Sequence, residues 1–191
     1  YANALREADP KAIIVGPETL NFHTTCSNCA GYPAGRAWID EFRAAYRAKF
    51  GGEPPIDVWS LHTYSLSWDV LPQRDYATQA RELAAFRGYL DGIPDHRGKP
   101  IWLTEFSVIW GYEGVRWQTV NGDLKAAPTG SFRSDLLTAD LTEMLKWLKA
   151  NAAALRLERW FIFSSHAYQE PWATQPAGIA LVEGVGDQAQ L

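Results

Sequence analysis

Four short runs of apolar residues recur along the chain, and each is rich in β-branched or aromatic side chains. Runs of this length and composition predict β-strands that are covered on both faces. The predicted strands cover residues 12–16, 56–62, 100–106 and 159–164.

Between these runs the apolar residues are spaced three or four positions apart, which predicts amphipathic helices. The predicted helices cover residues 2–8, 36–50, 76–91 and 134–149. Ser134 or Asp135 is placed to cap the last of them. Because single helices alternate with single strands, we expect right-handed crossovers and a parallel sheet.

Two architectures share this order of elements: an open, doubly wound sheet and part of a (β/α)8 barrel. A complete barrel usually needs about 250 residues, whereas this chain has 191. No phosphate-binding motif of the type G-x-G-x-x-G or G-x-x-x-x-G-K-[ST] follows any predicted strand, which removes the usual reason for an open nucleotide-binding sheet. An open sheet that binds another small ligand stays possible at this point.

Composition narrows the range of partners. The formal net charge is -4 and no block of Lys or Arg is present, so neither a nucleic acid nor an anionic membrane is indicated as a partner. No apolar run is long enough to cross a bilayer. The chain has nine Trp, and an exposed Trp is a natural platform for the C–H face of a sugar.

The two cysteines, Cys26 and Cys29, have a C-x-x-C spacing within a polar segment. A pair cannot complete a structural zinc site, which usually needs four ligands, and the thioredoxin-like context of a redox pair is missing. Two interpretations stay open: a local disulfide, or two inert thiols. A disulfide would fit an extracellular or periplasmic protein. The sequence predicts no cofactor and no metal.

Polar residues follow the predicted strands, at the edge of a parallel α/β sheet where function usually concentrates. Glu105 comes directly after the apolar residues 101–103, and strand alternation predicts that it shares a face with Leu103. A carboxylate on a buried face is costly unless it has a partner. Glu105 is therefore either part of a structural ion pair, a solvated strand-end group, or a catalytic group held at the rim of the sheet.

His62 and Tyr64 share one strand face by the same alternation. Both could hydrogen-bond a neighbouring carboxylate and keep it ionised; the alternative is a buried His beside a packed Tyr. His166 follows the last predicted strand and is a candidate for contact with a substrate. Glu18, just after the first predicted strand, either faces the same edge of the sheet as Glu105 or is a loop carboxylate without a catalytic role.

Five runs, in this order, resemble a known family. They are D-P-K-A-I-I-V-G-P (9–17), W-I-D-E-F (38–42), D-V-W-S-L-H-T-Y (57–64), G-K-P-I-W-L-T-E-F (98–106) and L-E-R-W-F-I-F (157–163). Together they resemble the glycosyl hydrolase catalytic-core proteins of the retaining (β/α)8 superfamily, including the family 128 β-1,3-glucanases. The likeness to the family 39 and family 5 enzymes is looser. The run K-P-I-W-L-T-E-F is the most specific part of the resemblance as a whole.

This resemblance implies an α/β fold in which residues 1–191 form the carboxyl-terminal half, about strands 5–8, of a TIM (β/α)8 barrel. Glu105 then ends the seventh strand as the nucleophile of a retaining glycoside hydrolase. His62 and Tyr64, at the end of the sixth strand, would line the subsite where the bond breaks. The implied substrate is a β-linked polysaccharide or oligosaccharide of the β-glucan or xylan type.

Two departures from the family pattern bear on the mechanism. The family places its acid/base Glu in an Asn-Glu pair on the fourth strand, and this chain contains no Asn-Glu pair. The resemblance therefore implies that the acid/base residue belongs to an amino-terminal half absent from this chain, or to a second copy of it. The eighth strand of the family often carries Trp where this chain has Ile162.

Trp110, Trp172 and His166 are the remaining predicted substrate contacts. Trp110 lies in a long segment, 109–130, that is rich in Gly and aromatic residues. This segment either walls the substrate cleft or is a surface loop. The alternative function is a non-catalytic carbohydrate-binding or assembly module on the same half-barrel scaffold.

Overall fold

Helices and strands alternate through most of the chain in the computed structural model, which describes residues 1–26, 34–163 and 171–177. In these ranges no helix is both long and apolar enough to cross a membrane. The helices are α1 (Ala2–Ala8), α2 (Gly35–Phe50), α3 (Tyr76–Asp91), a 3-10 turn (Pro94–His96) and α4 (Ser134–Leu155). The strands are β1 (Trp59–Thr63), β2 (Ile101–Phe106), β3 (Val115–Val120), β4 (Asp123–Pro128) and β5 (Leu157–Ile162).

The main sheet is parallel and follows chain order, β1-β2-β5. The strand predicted over residues 12–16 is reduced to one parallel bridge between Val15 and Val58, supported by a 2.7 Å hydrogen bond from Gly16 N to the Val58 carbonyl. This segment is short because it lies between Pro10 and Pro17 and pairs with β1 on one side only. The predicted parallel α/β sheet is confirmed, and among the strands in residues 1–26, 34–163 and 171–177 the order shows no reversal of the kind found in a doubly wound sheet.

The core lies between one face of this sheet and the helices. Trp59 and Leu61 of β1 and Ile101 and Leu103 of β2 have no exposed surface. The helices complete the core with their predicted apolar positions, which include Ile39, Leu83, Phe86, Leu90, Leu137, Met144 and Leu148. In α2, α3 and α4 the non-polar face is therefore the face that joins the core, whereas α1 has no buried residue.

Both ends of α4 differ from the prediction. Its N-cap is Arg133 without a side-chain cap, because the Asp135 carboxylate is instead bonded to the Arg133 guanidinium at 2.8 and 2.9 Å. The helix continues past residue 149 to Leu155, since residues 152–154 are Ala, the strongest helix former. It ends at Arg156, which adopts a left-handed conformation with φ of 51°.

The segment 109–130 is not an irregular surface loop. It folds into the hairpin β3–β4, in which Val120 pairs with Asp123. The two residues between them, Asn121 and Gly122, have φ of 52° and 89°, as a type I′ turn requires. The hairpin carries Trp117, which packs edge-on against Trp68 with ring centroids 5.3 Å apart.

A buried ion cluster occupies the opposite edge of the sheet, before β1 and β2 begin. The Glu53 carboxylate accepts bonds from Arg43 and Arg47, each at 2.7 Å, and lies 3.3 Å from Nε2 of the fully buried His96. Burial alone would raise the pKa of Glu53, but these hydrogen bonds outweigh it and hold the pKa at about 2. At this edge of a parallel α/β sheet we expect such groups to serve stability.

Candidate active site

A carboxylate, an imidazole and a phenol meet at the carboxyl ends of β1 and β2. Glu105 pairs with His62 across the two strands. The Tyr64 hydroxyl donates a 2.7 Å hydrogen bond to Glu105 Oε2, and His62 Nδ1 lies 3.3 Å from the same oxygen. About a third of the Glu105 side chain, 31%, is exposed. The structure thus brings together the three residues that the sequence predicts, and their catalytic roles remain predictions.

A β-bulge determines where Glu105 points. Leu61 pairs with Leu103, but the next residue of β1, His62, pairs with Glu105, so Thr104 is an extra residue in β2. The predicted alternation, which puts Leu103 and Glu105 on one face, is therefore wrong. The extra residue shifts the alternation by one position. Leu103 packs into the helix-covered core, while Glu105 joins His62 at the rim.

Glu18 joins this group, which fits the interpretation that it faces the same edge of the sheet as Glu105. Its Oε2 lies 3.3 Å from His62 Nε2, so each ring nitrogen of His62 faces a carboxylate. Because an ionised carboxylate only accepts hydrogen bonds, both contacts are hydrogen bonds only when the ring carries two protons. The signal in the sequence was the position of Glu18 directly after a strand, at the same edge as Glu105.

Asn21 holds Tyr64 in place, and nothing in the sequence singled it out. Its buried side chain accepts a 3.0 Å bond from Tyr64 N and donates a 2.9 Å bond to the Tyr64 carbonyl. The amide side chain thus replaces a neighbouring strand backbone at the point where β1 ends. Tyr64 in turn contacts Glu105, so Asn21 is a positioning residue for the carboxylate.

We expect Gly35→Ala to destabilise the fold by about 2 kcal/mol, because overpacking forces the backbone to shift. A Cβ at Gly35 would lie 2.2 Å from the Asn21 carbonyl oxygen and 2.5 Å from Thr19 Oγ1. Gly52→Ala is the matched control, since a Cβ there meets nothing within 4 Å. Urea unfolding of both variants checks the expectation, and equal midpoints would contradict it.

Trp110 does not offer a face to a sugar in this structure. It is fully buried, and its indole N–H points to the Gly114 carbonyl at 3.3 Å. Its ring packs against Tyr112 and Trp172, with centroids 5.4 and 6.2 Å away. The aromatic content of the segment 109–130 suggested a cleft wall, but here the large ring fills the space under the hairpin.

Trp172 is partly buried in the same aromatic group, with its ring 5.9 Å from that of Trp68. His166 lies outside the described residues. Cys26 is disulfide-bonded, and Cys29 also lies outside the described residues.

Comparison with known proteins gives a family and two similar structures. Residues 1–182 match the model of the family described as glycosyl hydrolase catalytic core. No curated protein matches the chain. The AHE enzyme from Alicyclobacillus herbarius is similar over 95% of this chain and 48% of its own, with 14% identity and a TM-score of 0.48. A family 128 (subgroup I) endo-β-1,3-glucanase from Amycolatopsis mediterranei, solved in complex with laminarihexaose, is similar over 78% and 46%, with 17% identity and a TM-score of 0.38.

The chain thus spans about half the length of these two proteins. The family predicted from the sequence runs is confirmed by the match over residues 1–182. By that match, which leaves out only the last nine residues, the chain belongs to the glycosyl hydrolase catalytic core family.

Proposed function

We propose that this chain is the carboxyl-terminal half of a (β/α)8-barrel retaining glycoside hydrolase, with Glu105 as the nucleophile. The observation that carries the proposal is the position of Glu105, which stands partly exposed at the carboxyl end of β2 and is hydrogen-bonded by Tyr64. The substrate proposed is a β-linked glycan of the β-glucan or xylan type.

The contacts of Glu105 suit nucleophilic attack. Among the described residues, Tyr64 and His62 both approach Oε2, which leaves Oε1 to attack the anomeric carbon. The hydrogen bond that Tyr64 donates to Oε2 fixes the rotamer of the carboxylate. Attack forms a covalent glycosyl-enzyme as the bond to the leaving oxygen breaks, and water later releases the sugar with its configuration retained.

Retaining hydrolysis also needs a second carboxyl group about 5–5.5 Å from the first, which protonates the leaving oxygen and then activates water. In the proposal this group comes from the first four strands of the barrel. Glu18 approaches His62 on the side away from Glu105, which suits it to positioning rather than to this role.

Two features of the sheet support a half barrel. The four parallel segments follow chain order, as neighbouring strands of a (β/α)8 barrel do. Large apolar side chains are exposed at both outer segments, including Ile13, Val15, Phe161 and Phe163. Open sheet edges with exposed apolar residues favour pairing with further strands, so we infer a partner that supplies the other half of the barrel, or a second copy of this chain.

The disulfide at Cys26 supports an extracellular or periplasmic location, because such bonds persist in oxidising compartments. This location is part of the proposal.

We expect residues 1–191 alone to hydrolyse glycans slowly, about 10²–10⁴-fold below the completed barrel, because proton assistance is worth that much. The test assays laminarin, xylan and their hexasaccharides with the chain alone and with a polypeptide that supplies the first four strands. Reducing-end release that rises on mixing supports the proposal. Saturable glycan binding without turnover in the mixture would instead indicate a non-catalytic carbohydrate-binding module.

A further inference from the structure

A second cleft lies beside the candidate active site, between the segment 18–24, the start of α2 and Leu66. Its volume is about 250 Å³. Glu18 lines this cleft and also contacts His62, so the cleft adjoins the group around Glu105. It is smaller than the pockets of about 300–1,000 Å³ that enclose drug-sized ligands, which suits a single sugar residue of a longer glycan.

Trp38 gives the cleft a flat apolar wall. It lies in the first turn of α2, lines the cleft and is 47% exposed. Phe42, one helical turn later, stacks on it with parallel planes, 4° apart, and a centroid separation of 5.5 Å. Phe42 thus packs on one side of the indole and fixes its orientation, while Trp38 as a whole keeps 47% of its surface exposed. An oriented indole of this kind matches the C–H face of a pyranose.

A second part of the cleft lining is held in place by a buried carboxylate. Glu82 of α3 accepts bonds from the backbone N–H groups of Phe22, His23 and Thr24 at 2.6, 2.7 and 3.0 Å. It also accepts a 2.7 Å bond from the Thr24 hydroxyl. Thr24 lines the cleft, so this wall is preorganised and loses little freedom when a ligand binds.

We propose that this cleft is a saccharide subsite, in which Trp38 stacks on a pyranose ring and the Glu18 carboxylate accepts a hydroxyl hydrogen bond. The inference rests on the proposed function, since it places a sugar residue of the same glycan next to the one attacked by Glu105. Glu18 links the two positions, because its carboxylate lies at the boundary between the cleft and His62. The subsite determines how a glycan is positioned and takes no part in bond cleavage.

The test compares Trp38→Ala with Trp117→Ala, since both indoles are 47% exposed and Trp117 belongs to the hairpin rather than to the cleft. Binding of laminarihexaose and xylohexaose to the 191-residue chain is followed by calorimetry and by the indole N–H signals in NMR spectra. We expect Trp38→Ala to raise Kd about 5- to 10-fold for the bound hexasaccharide, and Trp117→Ala to leave it unchanged. The Trp38 indole signal should shift on titration, and that of Trp117 should not.

Trp38→Phe retains an aromatic ring against Phe42 and should weaken binding less, which separates lost stacking from a disturbed helix. Equal Kd values for wild type and Trp38→Ala would overturn the subsite. If Glu105→Gln still abolished hydrolysis by the completed barrel, the proposed function would stand without the Trp38 subsite. If wild type bound neither hexasaccharide, the subsite would be overturned, whereas the mixing assay with the first four strands would still decide the proposed function.

Discussion

Glu105→Gln is expected to lower kcat for glycan hydrolysis by the completed barrel by roughly 10⁴-fold, with little change in KM. Gln has nearly the same shape, and its carbonyl oxygen still accepts the bond that Tyr64 donates to Oε2. The amide, however, cannot attack the anomeric carbon, so the covalent step is lost while the fold and the binding groups remain. Initial rates of reducing-end release measure the effect.

Glu143→Gln is the control for this variant. Glu143 lies on α4 and bonds only to the exposed Lys146 among the described contacts, so its turnover should equal that of wild type. A second arm uses Glu105→Ala with added azide. If Glu105 is the nucleophile, azide takes the vacated place and forms a glycosyl azide of inverted configuration. Equal turnover in wild type and Glu105→Gln would remove this residue from the mechanism.

Glu53→Gln is expected to reduce the free energy of unfolding by about 3 kcal/mol at pH 7, since breaking one side of a buried ion pair leaves the other charge without its partner. Arg43 and Glu53 are both nearly buried, with side-chain exposures of 11% and 13%. Without the Glu53 carboxylate, Arg43 would keep its 2.9 Å bond to the Tyr89 hydroxyl and a longer, 3.8 Å approach to the half-exposed Asp40 carboxylate. Urea unfolding measures the loss. Glu143→Gln is the control: it breaks an exposed ion pair with Lys146 and should change the free energy of unfolding by less than about 0.5 kcal/mol.

The pH dependence of the same cluster has a definite sign. The pKa of Glu53 is about 2 in the fold, against 4.5 as its ordinary value. Its stabilisation is therefore fully present above pH 4.5 and is lost as the pH falls toward 2. Burial, helped by the charge of Lys99, also lowers the pKa of His96 below 6.5, so the unfolded chain takes up that proton first and stability begins to fall below pH 6.5.

Wild type should therefore lose stability on acidification in both ranges, and Glu53→Gln should lack the loss below pH 4.5. Unfolding curves recorded from pH 7.5 to 2.5 give both slopes. If the free energy of unfolding of the variant fell equally steeply below pH 4.5, other carboxylates would be the main cause of the destabilisation in acid.

Residue patterns predicted the parts of the fold that depend on periodicity. The spacing of Leu83, Phe86 and Leu90 identified α3 with the bounds it has in the structure, because a helix must bury one face regardless of its neighbours. The run at 12–16 was overpredicted, since composition does not reveal how much backbone pairing an edge segment finds. The Asn121-Gly122 pair indicates the hairpin β3–β4, which the prediction for residues 109–130 did not include.

The site was predictable in its members and not in its geometry. Glu105, His62 and Tyr64 lie where strand ends and family motifs indicate, but alternation assigned Glu105 to the wrong face because a bulge leaves no local signature. The role of Asn21 was also hidden, since its side chain bonds to a backbone 43 positions away. Contacts of that kind depend on the folded path of the chain rather than on local composition.

The extra residue at Thr104 makes the direction of the Glu105 side chain depend on the number of residues in β2. Before Thr104, Ile101 and Leu103 alternate so that both face the helix-covered core. After Thr104 the alternation is displaced by one position, and Glu105 faces away from that core. The number of residues between Leu103 and Glu105 is thus under tighter constraint than the kind of residue placed there. Replacing Thr104 with another small residue should preserve the direction of the Glu105 carboxylate. Deleting one residue would instead turn this carboxylate toward the apolar, helix-covered face of the sheet.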